Sequence, residues 1–261
     1  MIDKLAAKHL VQAIDEDLAR LVWLSMTLHK SESINDKAKN ILGKLLLRWN
    51  CVLEAEGTAV SDSYKQKTVL ALAILLHKYG IAEKAITTQA LSAIDKLNDA
   101  VVLSNDFFRK SEEIKKIISS SPTQLVRKPV IPESITFYRK KDVISIQLGK
   151  KFYGAYIHDD LGINESPIIE FYDAIFDKVP TIQELKKYKA KGEIFNDGVA
   201  RVAKYSVSGL KFLPDPANQI KLIEACVNEA PLNNHLEKPV GLLSVQNIYT
   251  IQRIIMDIFS K

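Results

Sequence analysis

From Ile144 the sequence alternates apolar and polar residues. Over residues 144–149 every second side chain is apolar, which is the period of a strand with one buried face. Gly149 and the lysine after it predict a short turn, and residues 152–157 predict the returning strand of a β-hairpin. Gly154 falls inside that second strand, where a missing side chain indicates a bulge or a close backbone approach.

Further strands and two helices are predicted after the hairpin. Pro180-Thr181-x-x-Glu184 begins the first helix, because the threonine hydroxyl and the glutamate carboxylate can satisfy each other's backbone amides. Residues 221–227 fit either a strand or the end of a helix that starts at Asp215, and both alternatives stay open. The other predicted elements are a strand at 168–172, two short strands around an Asn-Asp-Gly turn within 193–205, a strand at 208–213 and a closing helix at 244–260.

The chain before residue 120 repeats its apolar residues with the period of a helix. This pattern predicts amphipathic helices, whose apolar stripes can only be buried against one another. One segment is apolar on nearly all sides over residues 69–76, so we expect it to be the central helix. Short connections favour an antiparallel bundle. The predicted helices lie at 3–30, 33–57, 61–80, 82–102 and 106–118.

Serines and prolines separate the two patterns. The run SSSP at 119–122 ends the helical region, and Pro129 and Pro132 keep the following segment extended. We therefore predict a helical bundle domain at 1–120 and a β-rich α+β domain at 134–261. The predicted fold class is α+β: an N-terminal α-helical bundle, then a mainly antiparallel twisted β-sheet with helices on one side, one of them C-terminal.

Composition and charge exclude several classes of protein. With 261 residues and 47% hydrophobic content the chain can build a sizeable core, so it is not disordered throughout. Its formal charge of +5 is too small and too diffuse to indicate nucleic-acid binding by itself. Because we find neither a signal peptide nor an apolar run of about 18 residues, we expect a cytoplasmic protein that does not enter membranes.

The cysteines, and the histidines of the helical half, give no sign of a site. Cys51 and Cys226 each lie in an apolar segment, so we expect two buried, reduced thiols rather than a disulfide. His9, His29 and His77 share no i, i+4 spacing of the kind that binds zinc, so we interpret them as ordinary surface or interhelix residues.

His158, Asp159 and Asp160 form the densest cluster of possible metal ligands. Oxygen-ligated cations need more donors than these, so a solvated turn is the simpler interpretation. A nuclease or hydrolase would pair His158 with Glu170 or Asp173, but residues three apart on a strand point to opposite faces. Phosphate-binding, dinucleotide-binding, zinc-protease and nucleophile-elbow motifs do not occur. We therefore predict no catalytic residue, no metal site and no cofactor.

Basic clusters leave a second functional hypothesis open. Lysines and one arginine group at 139–141, 150–151 and 186–191, the last around Tyr188. Such groups can neutralise phosphates, so a nucleic-acid-associated or phage-defence protein is the alternative function. Charge runs after a short helix usually form a solvated surface, which is why we do not place this hypothesis first.

Three segments of the second half carry a resemblance to a known family. They are residues 144–155, ISIQLGKKFYGA, residues 167–173, PIIEFYD, and residues 208–212, SGLKF. From Ile144 to Phe212 the sequence resembles the immunity protein 26 family of bacterial polymorphic toxin systems. The resemblance implies a cytosolic protein that binds and neutralises a cognate toxin domain, often a nuclease or another intracellular poison. It implies no catalytic residues.

Under that hypothesis we expect the binding surface at the hairpin end and its loop, where aromatic and polar residues mix. Tight binding needs a preformed surface with a few anchors and a polar rim. The alternative is that the tyrosines pack within the sheet and the acids only solvate a turn. The candidate partner-binding residues are Tyr153, Tyr156, His158, Asp159, Asp160 and Glu165.

Overall fold

A computed structural model describes residues 9–28, 31, 33–100, 103–131 and 135–260 of the protein. The chain divides into two compact units, Met1–Pro132 and Glu133–Lys261. The features of the sequence analysis that lie outside the described residues include the predicted helix boundaries at residues 3, 30 and 102, His29, Pro132 and the domain start at residue 134.

The described part of the first unit contains five helices. They are α1 (Leu10–Leu28), α2 (Ile34–Leu53), α3 (Asp62–Lys78), α4 (Lys84–Asp99) and α5 (Asn105–Ser119), which confirms the predicted helices over their described parts. Ser33, Ser61 and Ser104 begin three of them, because each hydroxyl accepts a backbone N–H three residues later. No helix in the described part of the chain has the length and apolar character needed to cross a membrane.

A buried ion pair joins α1 to α2. Asp17 Oδ2 accepts hydrogen bonds from Arg48 Nε at 2.8 Å and from Trp49 Nε1 at 2.9 Å. All three residues are buried. Because a buried carboxylate is stable only when donors surround it, this arrangement specifies how the two helices face each other.

The second unit is built around a six-stranded sheet. Its described elements are β1 (Val143–Leu148), β2 (Lys151–Leu161), β3 (Ser166–Phe171), α6 (Ile182–Leu185), β4 (Glu193–Ile194), β5 (Ala200–Arg201), β6 (Tyr205–Ser208), β7 (Ile220–Glu224), β8 (Ser244–Asn247) and α7 (Thr250–Phe259). The strand order is β7-β1-β2-β3-β6-β8, and only β6 and β8 run parallel. The predicted α+β fold, with a mainly antiparallel sheet and a C-terminal helix, is confirmed.

Both faces of the large sheet are covered. Tyr153 and Gly154 are consecutive in β2, so they lie on opposite faces. The Tyr153 ring centroid lies 4.8 Å from that of Phe259 in α7. On the other face, a Cβ built on Gly154 would overlap the side chain of Leu185 in α6. The prediction of helices on one side is therefore wrong, because α7 covers one face and α6 the other.

As a consequence, β1 is buried on both faces. Ser145, which the alternating pattern placed toward solvent, has no exposed surface and pairs with Gly154. Val143 lies on the same face of β1 and packs in a buried cluster with Tyr156 and Leu185. The pattern correctly predicted the hairpin, but the small Ser145 side chain and the bare Gly154 leave room for α6 where solvent was expected.

Between residues 208 and 227 the structure overturns one predicted strand and decides an alternative that the sequence left open. Gly209 has a φ of 92°, so β6 ends at Ser208 and the predicted strand at 208–213 does not form. The segment 221–227, which fitted either a strand or a helix, contains most of strand β7. Asp215 does not begin a helix, because its carboxylate accepts the backbone N–H groups of residues 217, 219 and 220 and closes a turn.

The predicted closing helix at 244–260 begins later than its sequence pattern suggested. Residues 244–247 form β8 and pair with β6. Asn247 Oδ1 then accepts the backbone N–H groups of Tyr249 and Thr250, which starts α7 at Thr250. The apolar period that predicted the helix begins only at Ile248, so the four residues before it carried no helical signal.

The hairpin of β4 and β5 confirms the two short strands predicted within 193–205. Arg201 Nη2 donates to Asp197 Oδ2 at 2.6 Å across the turn. This guanidinium, followed by the backbone N–H of Val199, lowers the pKa of Asp197 from 3.8 to about 2.

The two cysteines are free thiols in different surroundings. Cys51 is buried in α2, as predicted. Cys226 is exposed, so the prediction of two buried thiols is wrong for this residue. It follows β7 at a φ of 58°, a left-handed turn that takes it out of the sheet.

Candidate functional site

The candidate site lies at the end of the β2–β3 hairpin, at residues 159–165, which we call the hairpin tip. β2 and β3 pair in register up to Ile157, and the register shifts before Asp159. This shift is a β-bulge at His158, and bulges commonly redirect side chains next to functional sites. The bulge therefore separates a regular, buried part of the hairpin from its exposed tip.

His158 and Glu170 form a polar centre beside the bulge. His158 Nε2 lies 2.7 Å from Glu170 Oε2, and Asn233 Nδ2 donates to Glu170 Oε1 at 3.2 Å. The Glu170 side chain has no exposed surface, whereas 21% of the His158 side chain is exposed. The histidine–carboxylate pairing considered for a hydrolase thus exists with Glu170. Asp173 instead pairs with Lys191 at 2.9 Å.

This polar centre holds a long loop against the sheet. A carboxylate that orients an imidazole also occurs in catalytic sites, where the imidazole faces a reacting group. Here the same carboxylate binds Asn233 in the loop after β7, and Tyr156 Oη donates to Val227 O in that loop at 3.0 Å. Over the described residues, no three histidine, cysteine, aspartate or glutamate side chains are placed to hold a metal ion. These hydrogen bonds therefore attach the loop after β7 to the sheet.

Two acids of the hairpin tip have defined partners. Lys140 Nζ donates to Asp159 Oδ2 at 3.0 Å, and this lysine, followed by the Asp160 backbone N–H, lowers the pKa of Asp159. Asp160 Oδ2 accepts the backbone N–H of Asn164 at 2.6 Å and so closes the turn. Asp159 therefore carries a partly compensated charge at the surface, while Asp160 shapes the backbone.

The turn itself has one fixed backbone shape. Gly162 and Asn164 have φ values of 79° and 56°, which glycine and asparagine tolerate best. The Asn164 carbonyl accepts the backbone N–H of Thr136 at 2.6 Å, which ties the turn to the segment before β1. The exposed Glu165 folds back toward Gly162, and its Oε2 lies 2.8 Å from the position that a Cβ on Gly162 would occupy.

Several large apolar side chains near the hairpin tip are exposed. The Thr136–Asn164 hydrogen bond brings residues 135–137 beside the hairpin tip. We call the exposed apolar residues of the two segments the hairpin-tip patch: Ile135 at 60% exposure, Phe137 at 54%, Leu161 at 44% and Ile163 at 85%. Sequence analysis missed this patch, although an isoleucine between Gly162 and Asn164 in a polar turn is the signal that could have drawn attention to it.

The two candidate tyrosines are not surface residues. Tyr153 packs on Phe259 and is buried, and burial raises the pKa of its hydroxyl. Tyr156 is buried on the opposite face, with its hydroxyl bonded to Val227. Neither ring can serve as an exposed anchor, so the alternative of sheet packing is correct for both. Of the candidate residues, Asp159, Asp160 and Glu165 lie at the tip and His158 lies beneath it.

Four lysines of the basic clusters in the second unit are paired with acids. Lysines from each cluster form ion pairs within the unit: Lys140 with Asp159, Lys151 with Asp177, Lys186 with Glu229 and Lys191 with Asp173, at 2.6 to 3.2 Å. Arg139 donates to the carbonyls of Thr136 and Tyr138. These pairings reduce the charge available to phosphates.

Comparisons with protein-family models, with curated proteins and with solved structures find no match to this chain.

Proposed function

We propose that this protein is a cytoplasmic immunity protein that binds a cognate toxin domain and neutralises it without catalysis. The hairpin-tip patch is its contact surface. The observation that carries this proposal is the exposure of four large apolar side chains beside a turn of fixed shape. Exposed apolar groups that lie near polar and charged ones are typical of protein-binding surfaces. The resemblance to the immunity protein 26 family favours the same class.

The frame beneath the patch suits tight binding. The hairpin is buried on both faces up to the bulge, and Glu170, His158 and Asn233 brace it from one side. A surface that is already ordered loses little conformational entropy when a partner docks. The rigid hairpin thus supports a stoichiometric inhibitor, which must hold its target rather than turn it over.

Catalysis by the His158–Glu170 pair has less support than binding. Glu170 is fully buried, and its second carboxylate oxygen accepts a hydrogen bond from Asn233. His158 also packs edge-on against the Tyr156 ring, with 5.0 Å between the ring centroids. A general base needs an open face toward a reacting group, whereas only 21% of the His158 side chain is exposed.

The nucleic-acid hypothesis remains the second candidate, and the ion pairs described above weigh against it. A lysine that already pairs with an aspartate at 2.6 Å, as Lys151 does with Asp177, releases fewer counterions when it meets a phosphate. Copurified nucleic acid, and binding that weakens steeply with salt, would revive this hypothesis.

Coexpression tests the proposed function directly. The full chain is expressed with the toxic C-terminal domain encoded beside its own gene, and growth is compared with cells that express the toxic domain alone. We expect growth to be rescued and a discrete complex to copurify. Because the inhibitor is not a catalyst, protection in a purified assay should end when the toxic domain exceeds the chain in molar amount.

Three results would contradict the proposed function. The first is the absence of any toxin gene beside this one, and the second is failure of the chain to rescue growth. The third is protection of a large molar excess of the toxic domain, with a change in its intact mass, which would show that the chain is an enzyme acting on the toxin.

A further inference from the structure

We propose, building on the proposed function, that the partner of the hairpin-tip patch is a basic protein domain with an apolar pocket. Ile163 is the side chain that enters this pocket. Asp160 is a positioning residue that holds Ile163 in place, and the acids of the tip select a positively charged pocket rim.

The exposure of Ile163 supports its role as the anchor. It is the most exposed residue of the patch, at 85%, and it sits at the apex of the turn between Gly162 and Asn164. Burying an isoleucine that the turn holds in water lowers the free energy of the complex. The backbone beneath it needs no rearrangement. Binding energy in protein interfaces concentrates in a few side chains that fill well-packed pockets, and a protruding Ile163 is shaped to fill one.

The charge of the tip supports a basic partner. Residues 159–165 contain three carboxylates and no basic side chain, in a chain whose net charge is +5. Lys140 compensates only one of these carboxylates, and it does so at the exposed surface, where screening is strong. Negative charge is therefore concentrated in the hairpin tip itself, around Leu161 and Ile163. Complementary charge on a partner would accelerate encounter and exclude acidic competitors.

The hydrogen bond of Asp160 supports its separate role. Its Oδ2 atom accepts the Asn164 backbone N–H at 2.6 Å, so it acts on the turn that presents Ile163. An asparagine in its place would retain an oxygen acceptor for that N–H, whereas an alanine would not. The two substitutions remove the same charge but differ in the turn they leave, which separates positioning from electrostatics.

The anchor is tested with a matched pair of variants of the full chain. The probe is the inactivated toxic domain encoded beside the gene, and its affinity is measured by surface plasmon resonance. Ile163→Asp should weaken binding by at least about 30-fold. Val245→Asp makes the same kind of change at a residue of β8 that is 69% exposed and outside the patch, and it should leave affinity within about twofold. Equal effects of the two variants would overturn the anchor.

The charge requirement is tested with a second matched pair. Asp159→Asn removes a tip carboxylate paired with Lys140, and Asp177→Asn removes an exposed carboxylate paired with Lys151. The association rate should fall several-fold for Asp159→Asn, remain unchanged for Asp177→Asn, and decrease as salt is raised. An association rate that is independent of salt and of Asp159 would rule out a basic rim.

The positioning role is tested by comparing Asp160→Asn with Asp160→Ala. We expect Asp160→Ala to speed dissociation of the probe and hydrogen exchange at the Asn164 amide, and Asp160→Asn to restore most of both. Equal losses in the two variants would show that Asp160 acts through its charge.

If wild type neither binds nor rescues, the proposed function fails. If wild type rescues and Ile163→Asp rescues equally well, only this inference fails.

Discussion

Replacing Gly154 with alanine should destabilise the sheet unit, and shortening Leu185 should reverse the sign of that effect. An alanine Cβ at position 154 would lie 3.1 Å from Leu185 Cδ1 and closer still to Cδ2. Leu185 is fully buried, so its side chain has no solvent to move into. The added methyl group should therefore force a shift of α6 or of β2.

The magnitudes follow from packing. Gly154→Ala inserts a carbon into a filled core and should cost about 1–3 kcal/mol. Leu185→Ala removes a buried side chain and should cost about 2–5 kcal/mol. In the Leu185→Ala background the new methyl group enters vacated space and restricts the unfolded chain, so Gly154→Ala should stabilise by about 0.5–1 kcal/mol. The two changes should therefore couple by about 2 kcal/mol.

A double-mutant cycle measures this coupling. Urea unfolding of the full chain, followed by far-ultraviolet circular dichroism, gives the four free energies of unfolding. Hydrogen exchange of peptides from β1 and β2 reports opening of this sheet alone. Additive effects, within about 0.5 kcal/mol, would refute the claim that α6 packs directly on Gly154.

Three further measurements follow from other contacts. Asp17→Ala should cost about 3–5 kcal/mol in urea unfolding, because it leaves the buried Arg48 guanidinium without this partner. The pKa of Asp197 is lowered to about 2 in the folded state, so its ion pair stabilises the fold above the ordinary pKa of 3.8. This contribution to stability should be lost as the pH falls from 3.8 toward 2. An NMR titration that finds an unshifted pKa would contradict the pairing. Cys226 should react with a maleimide in the native protein, whereas Cys51 should react only after unfolding, as mass spectrometry of labelled peptides can show.

Local periodicity and capping chemistry predicted most of the fold. The alternation over 144–157 located the hairpin, and the Thr181–Glu184 pair predicted a capping box that the structure contains. These signals are local, because they depend on backbone periods and on hydrogen bonds within one turn. They could not show that α6 and α7 would cover opposite faces. A serine in an alternating strand predicts an exposed face, and only the pairing of Ser145 with Gly154 reveals that α6 packs there.

The candidate site was predicted less well, for a physical reason. The acids of the tip were identified because a polar turn is visible in sequence. The hairpin-tip patch combines Ile135 and Phe137 with Leu161 and Ile163, and the Thr136–Asn164 hydrogen bond brings these distant segments together. Tyr153 and Tyr156 were misassigned because their polarity suits both a surface and a core, and the choice depends on Phe259 and Val227, far along the chain.

The strand order of the large sheet sets the sequence of events during synthesis. β1, β2 and β3 are neighbours in both chain and sheet, so they can assemble as soon as they leave the ribosome. Their outer neighbours arrive later: β7 completes one side of β1, and β8 and α7 come last. Until α7 has been synthesised, the apolar face that it covers has no helix to bury it. We therefore expect the nascent chain to offer chaperones an apolar surface that the folded unit buries.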